Sequence, residues 1–302
     1  MQKGSAWIDG RLSVLSEAVV PVSDRGLLFG HAIFETILAF GESLVLWDAH
    51  VARLQAGAIR SRLKCPPEAD LRRAVRECIR FFQAHPNSGQ NERVSVRLIL
   101  TGGDCLSLAP QRNHRGELLD ARVIVICRSA PALSDAERMK GLALKACPDI
   151  RPKELVDIKS CSYLWNLMCL DDALLDGFDD ALFLNANGDI SESASASFVW
   201  MGRAEKILYS APQDNNVLAG TTLSCLISAL QDTEYKFDWQ ALNMSFLKEV
   251  YACALVSSVR GLVPVRRIND FEFDVNVAQE EFSRWDLKLR QQQLSHSVPP
   301  PR

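Results

Sequence analysis

Short apolar runs rich in Val, Ile and Leu, closed by Gly, Pro or another turn former, recur along the 302 residues. Runs of this length and composition are strands, so the chain must build its core around β-sheet. In the first third they read AWIDG into RLSVLSE, then AIFETILAFGESLVLW, where Gly41 marks a hairpin turn. RVSVRLILTGG and ARVIVICRSAP predict two further strands. Between them lies DCLSLAPQRNHRGELLD, a polar loop long for a plain connection.

Helical spacing interrupts the strands. Asp48 is placed to cap a helix through AHVARLQAGAIRSRL. A second helix follows Pro66 and Pro67, with Leu71, Val75, Cys78, Ile79 and Phe82 stepping by three or four, and stops near Pro86. RSAPALSDAERMKG shifts to Pro, Ser and charge, which predicts a linker over 129–138 between a domain at 1–128 and one at 139–292.

Beyond it the pattern predicts a strand at LALKAC and a helix from Ser162 to Leu175. Two strands are expected around the turn Asn185–Asp189 in DDALFLNANGDISESASASFVWMG, and another in KILYSAP. TTLSCLISALQDT and MSFLKEVYACAL read as helices, ALVSSVRGLVPV as extended, and VNVAQEEFSRWDLKLRQQQ as a last helix. The tail 293–302, ending in SHSVPPPR, is expected to be disordered.

Thirty-four basic and 37 acidic residues leave a net charge of −3, no electrostatic basis for nucleic acid or an anionic membrane as the main partner. The N-terminus lacks the apolar block of a signal peptide, and no stretch approaches the ~18 apolar residues of a membrane span. Nine scattered cysteines show no CxxC pair and no metal-like spacing, so they read as reduced thiols, with no metal expected. Together these predict a cytoplasmic protein acting on small molecules.

DIKSCSYLWNL places Lys159 at the mouth of an otherwise apolar and aromatic run. Desolvation disfavours an ammonium and frees the amine to attack carbonyls. A surface lysine laying its stem along a helix would look the same. Chemistry at a pyridoxal phosphate would also need an acid for the ring nitrogen and a cradle for a dianionic phosphate. Glu192 sits among small residues in GDISESASASFVW, though it could equally be the polar register of an exposed strand. In LAGTTLSCL the N–H groups of Thr221 and Thr222 open a helix, as an ordinary N-cap would also have them. Arg53 in HVARL offers a planar fork for phosphate oxygens, and Ser258 in VSSVRG a hydroxyl.

Six pieces, SDRGLLFGHAIFET, HVARL, DIKSCSYLWNLM, GDISESASASF, LAGTTL and SSVRGLVPV, stand in one order between residues 23 and 265. In that order the chain resembles the class IV aminotransferases. These are the fold-type IV pyridoxal-phosphate enzymes, among them branched-chain and D-amino-acid aminotransferases and aminodeoxychorismate lyase. The resemblance implies an α/β (α+β) fold of two domains, the cofactor pyridoxal 5'-phosphate in the interdomain cleft, and a homodimer. It assigns Lys159 as the Schiff-base lysine and proton shuttle, and Glu192 as the pyridine-nitrogen partner. Arg53, Thr221, Thr222 and Ser258 become the phosphate contacts, with Tyr163 near the cofactor's phenolic oxygen, one residue closer to the lysine than in branched-chain enzymes. Four places depart from the family: His31 stands for a frequent aspartate, Ser162 and Ser197 for usual asparagines, and GTTL for GITR.

A substrate carboxylate needs an arginine or convergent N–H donors. The candidates are Arg97 in mid-strand and Arg112 and His114 in the long loop, with Phe34, Phe29 and Trp165 as candidates for an apolar side-chain pocket. Solvated loop charges and core aromatics are the plainer readings of the same residues. The expected activity is transfer of an amino group between an amino acid and a 2-oxo acid such as 2-oxoglutarate. Branched-chain-like donors are favoured, and D-amino acids are also compatible. Aminodeoxychorismate lyase activity, releasing pyruvate, is the first alternative, and a non-catalytic cofactor-binding homologue the second.

Overall fold

A computed structural model describes residues 4–84, 93–109, 112–203, 206–231 and 233–298. They fall into two units, one of 1–132 with 158–162 and 296–302, the other of 133–157 with 163–295. No helix among the described residues is long and apolar enough to cross a membrane.

In the first unit, strands β1 (Ser5–Ile8), β2 (Arg11–Val14), β3 (Ala32–Phe40), β4 (Ser43–Val45), β5 (Arg93–Thr101) and β6 (Arg122–Ser129) accompany three helices. These are α1 (Arg25–Phe29), α2 (Trp47–Arg60) and α3 (Glu68–Ala84). With Ser297–Val298, which is β17 in chain order, the strands form one sheet in the order β17-β4-β3-β5-β6-β1-β2. Alternation along β5 buries Val94, Val96, Leu98 and Leu100 in one cluster. The stripes of α2 (Val51, Leu54, Ala58) and α3 (Leu71, Val75, Cys78, Ile79, Phe82) fill the same cluster, as a period of 3.6 against a period of 2 requires. Asp48 lies inside the first turn of α2 and not at its cap, a position taken by Leu46 in a left-handed conformation. There the carboxylate still complements the helix dipole. The expected stop of α3 near Pro86 falls outside the described residues, and the helix is described to Ala84.

Residues 158–162 return to this first unit. Phe34 N donates to Lys159 O at 2.8 Å, Cys161 N to Ala32 O at 2.8 Å, and Ile33 bridges Ser160. The lysine therefore hangs from the edge of β3, although a linear reading assigns it to 139–292. The stretch expected to be a linker is also more ordered than its composition suggests. Asp135–Met139 is helix α4, closed by a capping box in which Ser134 and Glu137 satisfy each other's N–H groups.

The second unit holds β7 (Leu142–Pro148), β8 (Asp180–Leu184), β9 (Asp189–Ser193), β10 (Ser197–Gly202), β11 (Ile207–Ser210), β12 (Lys236–Trp239), β13 (Leu242–Asn243), β14 (Val250–Ser257), β15 (Gly261–Ile268) and β16 (Phe271–Glu272). Their order is β12-β11-β10-β14-β15-β7-β8-β9-β13, with β16 paired to β15. Helices α5 (Leu164–Leu175), α6 (Thr221–Leu230) and α7 (Gln279–Ser295) complete it.

Three expectations are corrected here. MSFLKEVYACAL is not one helix: Met244–Glu249 is a 3-10 turn and Val250 onwards is β14. Because β14 lies between β10 and β15 with Ala252–Val256 all buried, it shows no alternation, and a continuous apolar run cannot be told from a helix by period. The stretch 179–202 contains three strands and not two, since β9 and β10 are separated only by Ala194–Ala196. The tail is ordered as far as it is described: α7 runs to Ser295 and β17 pairs with β4. Residues 299–302 lie outside the described residues.

Candidate active site

The first unit gathers Lys159, Phe34, Arg97 and Arg53 with two residues that sequence reasoning missed, Glu35 and His50. On α2 the spacing of three between His50 and Arg53 puts both on the face turned to β3. Arg53 grips Glu35 with a two-pronged contact, Nε to Oε1 at 2.7 Å and Nη2 to Oε2 at 2.6 Å. His50 Nδ1 donates to Oε2 at 2.7 Å. A planar guanidinium held on one edge in this way has its orientation fixed.

Burial pushes the Glu35 carboxyl up, but the hydrogen bonds and charges of Arg53 and His50 outweigh it and bring the pKa down to about 2. Burial pushes the His50 imidazole down and, with the charges of Arg53 and Lys159, outweighs the raising pull of the Glu35 carboxylate. Both groups bind protons more readily unfolded than folded, so the stability they contribute is present at neutral pH and lost on acidification. Loss begins below the ordinary histidine range as His50 is drawn toward protonation, and continues between pH 4.5 and about 2 as Glu35 is. The Glu35 part amounts to about 3 kcal/mol. Urea unfolding across that pH range is expected to show a steep loss in the parent and a flatter one in Glu35→Gln, which starts less stable at pH 7.

Phe34 carries two cations. The Arg97 guanidinium carbon lies 3.9 Å and Lys159 Nζ 4.8 Å from its ring centroid. Phe34 is thus a wall that orients the lysine and brings Arg97 to the same ring. Arg112 and His114, by contrast, are exposed on the long loop, where Arg112 Nη1 donates to Gly116 O at 2.7 Å. His31, where the family often has aspartate, accepts from Arg25 Nε at 3.0 Å. Arg25 in turn donates to the carbonyls of Ser107, Leu108 and Ala109, pinning the start of that loop.

The second unit gathers Glu192, Thr221, Thr222 and Ser258. Glu192 accepts from Arg151 Nη1 at 2.8 Å and from Leu218 N at 3.1 Å. Both donors stabilise its negative charge. Arg151 is a second residue missed from sequence. It also donates twice to Asp149, whose side chain is fully buried, at 2.9 and 2.8 Å, and to Asn216 O at 3.1 Å, with its guanidinium 4.4 Å from the Phe183 ring centroid. Burial works against the Arg151 charge, but Asp149 and Glu192 outweigh it and raise its pKa. The only hint in the sequence was the charge pair two apart in PDIRP, just before the lysine.

Thr221 and Thr222 are the first residues of α6, whose N-terminus no side chain caps. Thr222 Oγ1 lies 3.2 Å from Ser258 Oγ, joining the helix start to the β14–β15 turn. Backbone N–H groups at a helix start, the helix dipole and two neighbouring hydroxyls are the kind of donors an anion requires. Tyr163 occupies the N-cap position of α5, half-buried.

Known proteins resemble this chain over most of its length. D-alanine aminotransferase of Bacillus licheniformis is 23% identical, covering 86% of this chain and 87% of its own. A bifunctional aminodeoxychorismate lyase / D-amino acid transaminase of Mycobacterium tuberculosis is 27% identical, covering 83% and 86%. A hypothetical aminotransferase from Mycobacterium tuberculosis, in its PLP-bound form, superposes with a TM-score of 0.80 at 22% identity, over 97% of this chain and 99% of that one. The family model for amino-transferase class IV matches residues 32–268, so the chain belongs to the class IV aminotransferases.

Proposed function

We propose that the chain is a pyridoxal-phosphate-dependent aminotransferase exchanging an amino group between an amino acid and a 2-oxo acid. The observation that carries the reading is the pairing of Glu192 with Arg151 and the Leu218 N–H, a carboxylate held negative as a protonated ring nitrogen requires. The rest of the donor set fits the same cofactor: an amine beside an aromatic wall, an uncapped helix start and a braced arginine. Bound there, the cofactor supplies an aldehyde and an electron-withdrawing ring.

In this reading Glu192 holds the proton on the ring nitrogen. Thr221, Thr222, Ser258 and Arg53 bind the phosphate, and Tyr163 faces the phenolic oxygen. Lys159 Nζ would carry the proton between the substrate α-carbon and the cofactor's C4′. Arg97 is the candidate for a substrate carboxylate, with Phe34 as its apolar neighbour. A homodimer fits the exposed Leu164, Leu167, Met168 and Leu175 on α5, and nine free cysteines fit the cytoplasm.

The names of the two relatives above support D-amino acids as donors to be tested beside the branched-chain-like ones. The bifunctional relative also keeps lyase activity as a second reading. Product analysis separates these. With D-alanine or L-valine and 2-oxoglutarate, an aminotransferase forms glutamate and the donor's keto acid. From aminodeoxychorismate a lyase releases pyruvate without an acceptor. A protein that binds cofactor, and is labelled at Lys159 by borohydride, yet converts neither substrate would overturn the catalytic reading.

A further inference from the structure

Ser191 on β9 is 1% exposed, and its hydroxyl has no hydrogen-bond partner among the described residues. It lines a pocket of about 60 Å³ in the second unit, together with Glu192, Ser197, Ser210, Gly220 and Ser224. Two of these hydroxyls already donate to backbone, Ser210 Oγ to Phe198 O at 2.8 Å and Ser224 Oγ to Gly220 O at 3.1 Å, but each keeps acceptor capacity. The pocket exists because small residues meet there. A Cβ placed on Gly220 would come within 2.5 Å of Ser197 Oγ, so the loop entering α6 passes directly over Ser197.

Left dry, the Ser191 hydroxyl would give up the hydrogen bonds it makes to water in the unfolded chain. Cavities that stay empty are apolar, whereas this one sets hydroxyls and a carboxylate among its apolar walls and exceeds the roughly 10–15 Å³ that one water needs. We infer that it is a structural water site, in which ordered water accepts from Ser191 and donates to the acceptors around it, Glu192 among them. The water then acts as a further donor to Glu192 beside Arg151 and the Leu218 N–H. It also supports Val217–Gly220, the segment that carries that N–H and leads into α6. The inference concerns the folded chain and stands whether or not the proposed reaction does.

Two measurements on the full-length protein decide it. A high-resolution crystal structure is expected to show water density within hydrogen-bonding distance of Ser191 Oγ. Ser191→Ala, which leaves that water short of a partner, is expected to melt about 2 °C below the parent. In a dry pocket the same change deletes an unsatisfied hydroxyl and raises the melting temperature. Absence of density, or a Ser191→Ala protein that melts higher, overturns the inference.

Discussion

Lys159→Ala is expected to lower the rate of amino transfer by about 10⁴-fold or more while leaving the fold in place. The separation of the two effects follows from how the residue is held. Its carbonyl accepts from Phe34 N at 2.8 Å, an attachment made by backbone that alanine keeps. The side chain itself is only half-buried, so truncating it leaves no large cavity. Lys159→Arg is the sharper control. A guanidinium can keep a positive charge against the Phe34 ring, where Nζ lies 4.8 Å from the centroid, but it does not deprotonate to act as nucleophile or base. Both variants should therefore be inactive, and both should melt close to the parent. If Lys159→Arg turns over within about tenfold of the parent, the lysine contributes charge alone and the proposed chemistry fails.

What the sequence made legible were the residues whose type announces their chemistry. Lys159 in an apolar run, Glu192 among small residues and the threonines at a helix start can each be found by reading along the chain. The groups that hold them cannot. Glu35 and Arg53 are 18 residues apart, and only the packing of α2 on β3 brings carboxylate and guanidinium to 2.6 Å. Arg151 is 41 residues from Glu192 and lies in an irregular stretch after β7, with no periodicity to mark its direction. The same limit explains the errors in the fold. A strand buried on both faces, as β14 is, has no alternation, and nothing in the residues 158–162 says that their backbone will pair with β3. The helix α4 is a different case, because Ser134 and Glu137 are spaced as a capping box and the signal was present in SDAE.

Arg151→Met is expected to lower stability by about 3–5 kcal/mol, because it strips a cation from a group of charges that are nearly all out of water. Asp149 has no exposed side-chain surface and Glu192 only 10%, so each would keep a negative charge with its main donor gone. Urea denaturation of the cofactor-free protein measures this loss without reference to activity. A second variant distinguishes charge from packing. Arg151→Met combined with Asp149→Asn removes the buried carboxylate as well, and should recover a substantial part of the stability, since a pair replaced on both sides is far less costly than one broken on one side. Catalysis should not recover with it. Glu192 would still lack the Arg151 hydrogen bond at 2.8 Å, while keeping the one from the Leu218 N–H at 3.1 Å. A double variant restored in stability but still slow assigns Arg151 to positioning Glu192. One restored in both would reduce Arg151 to a counter-ion for Asp149, with the carboxylate at 192 oriented without it.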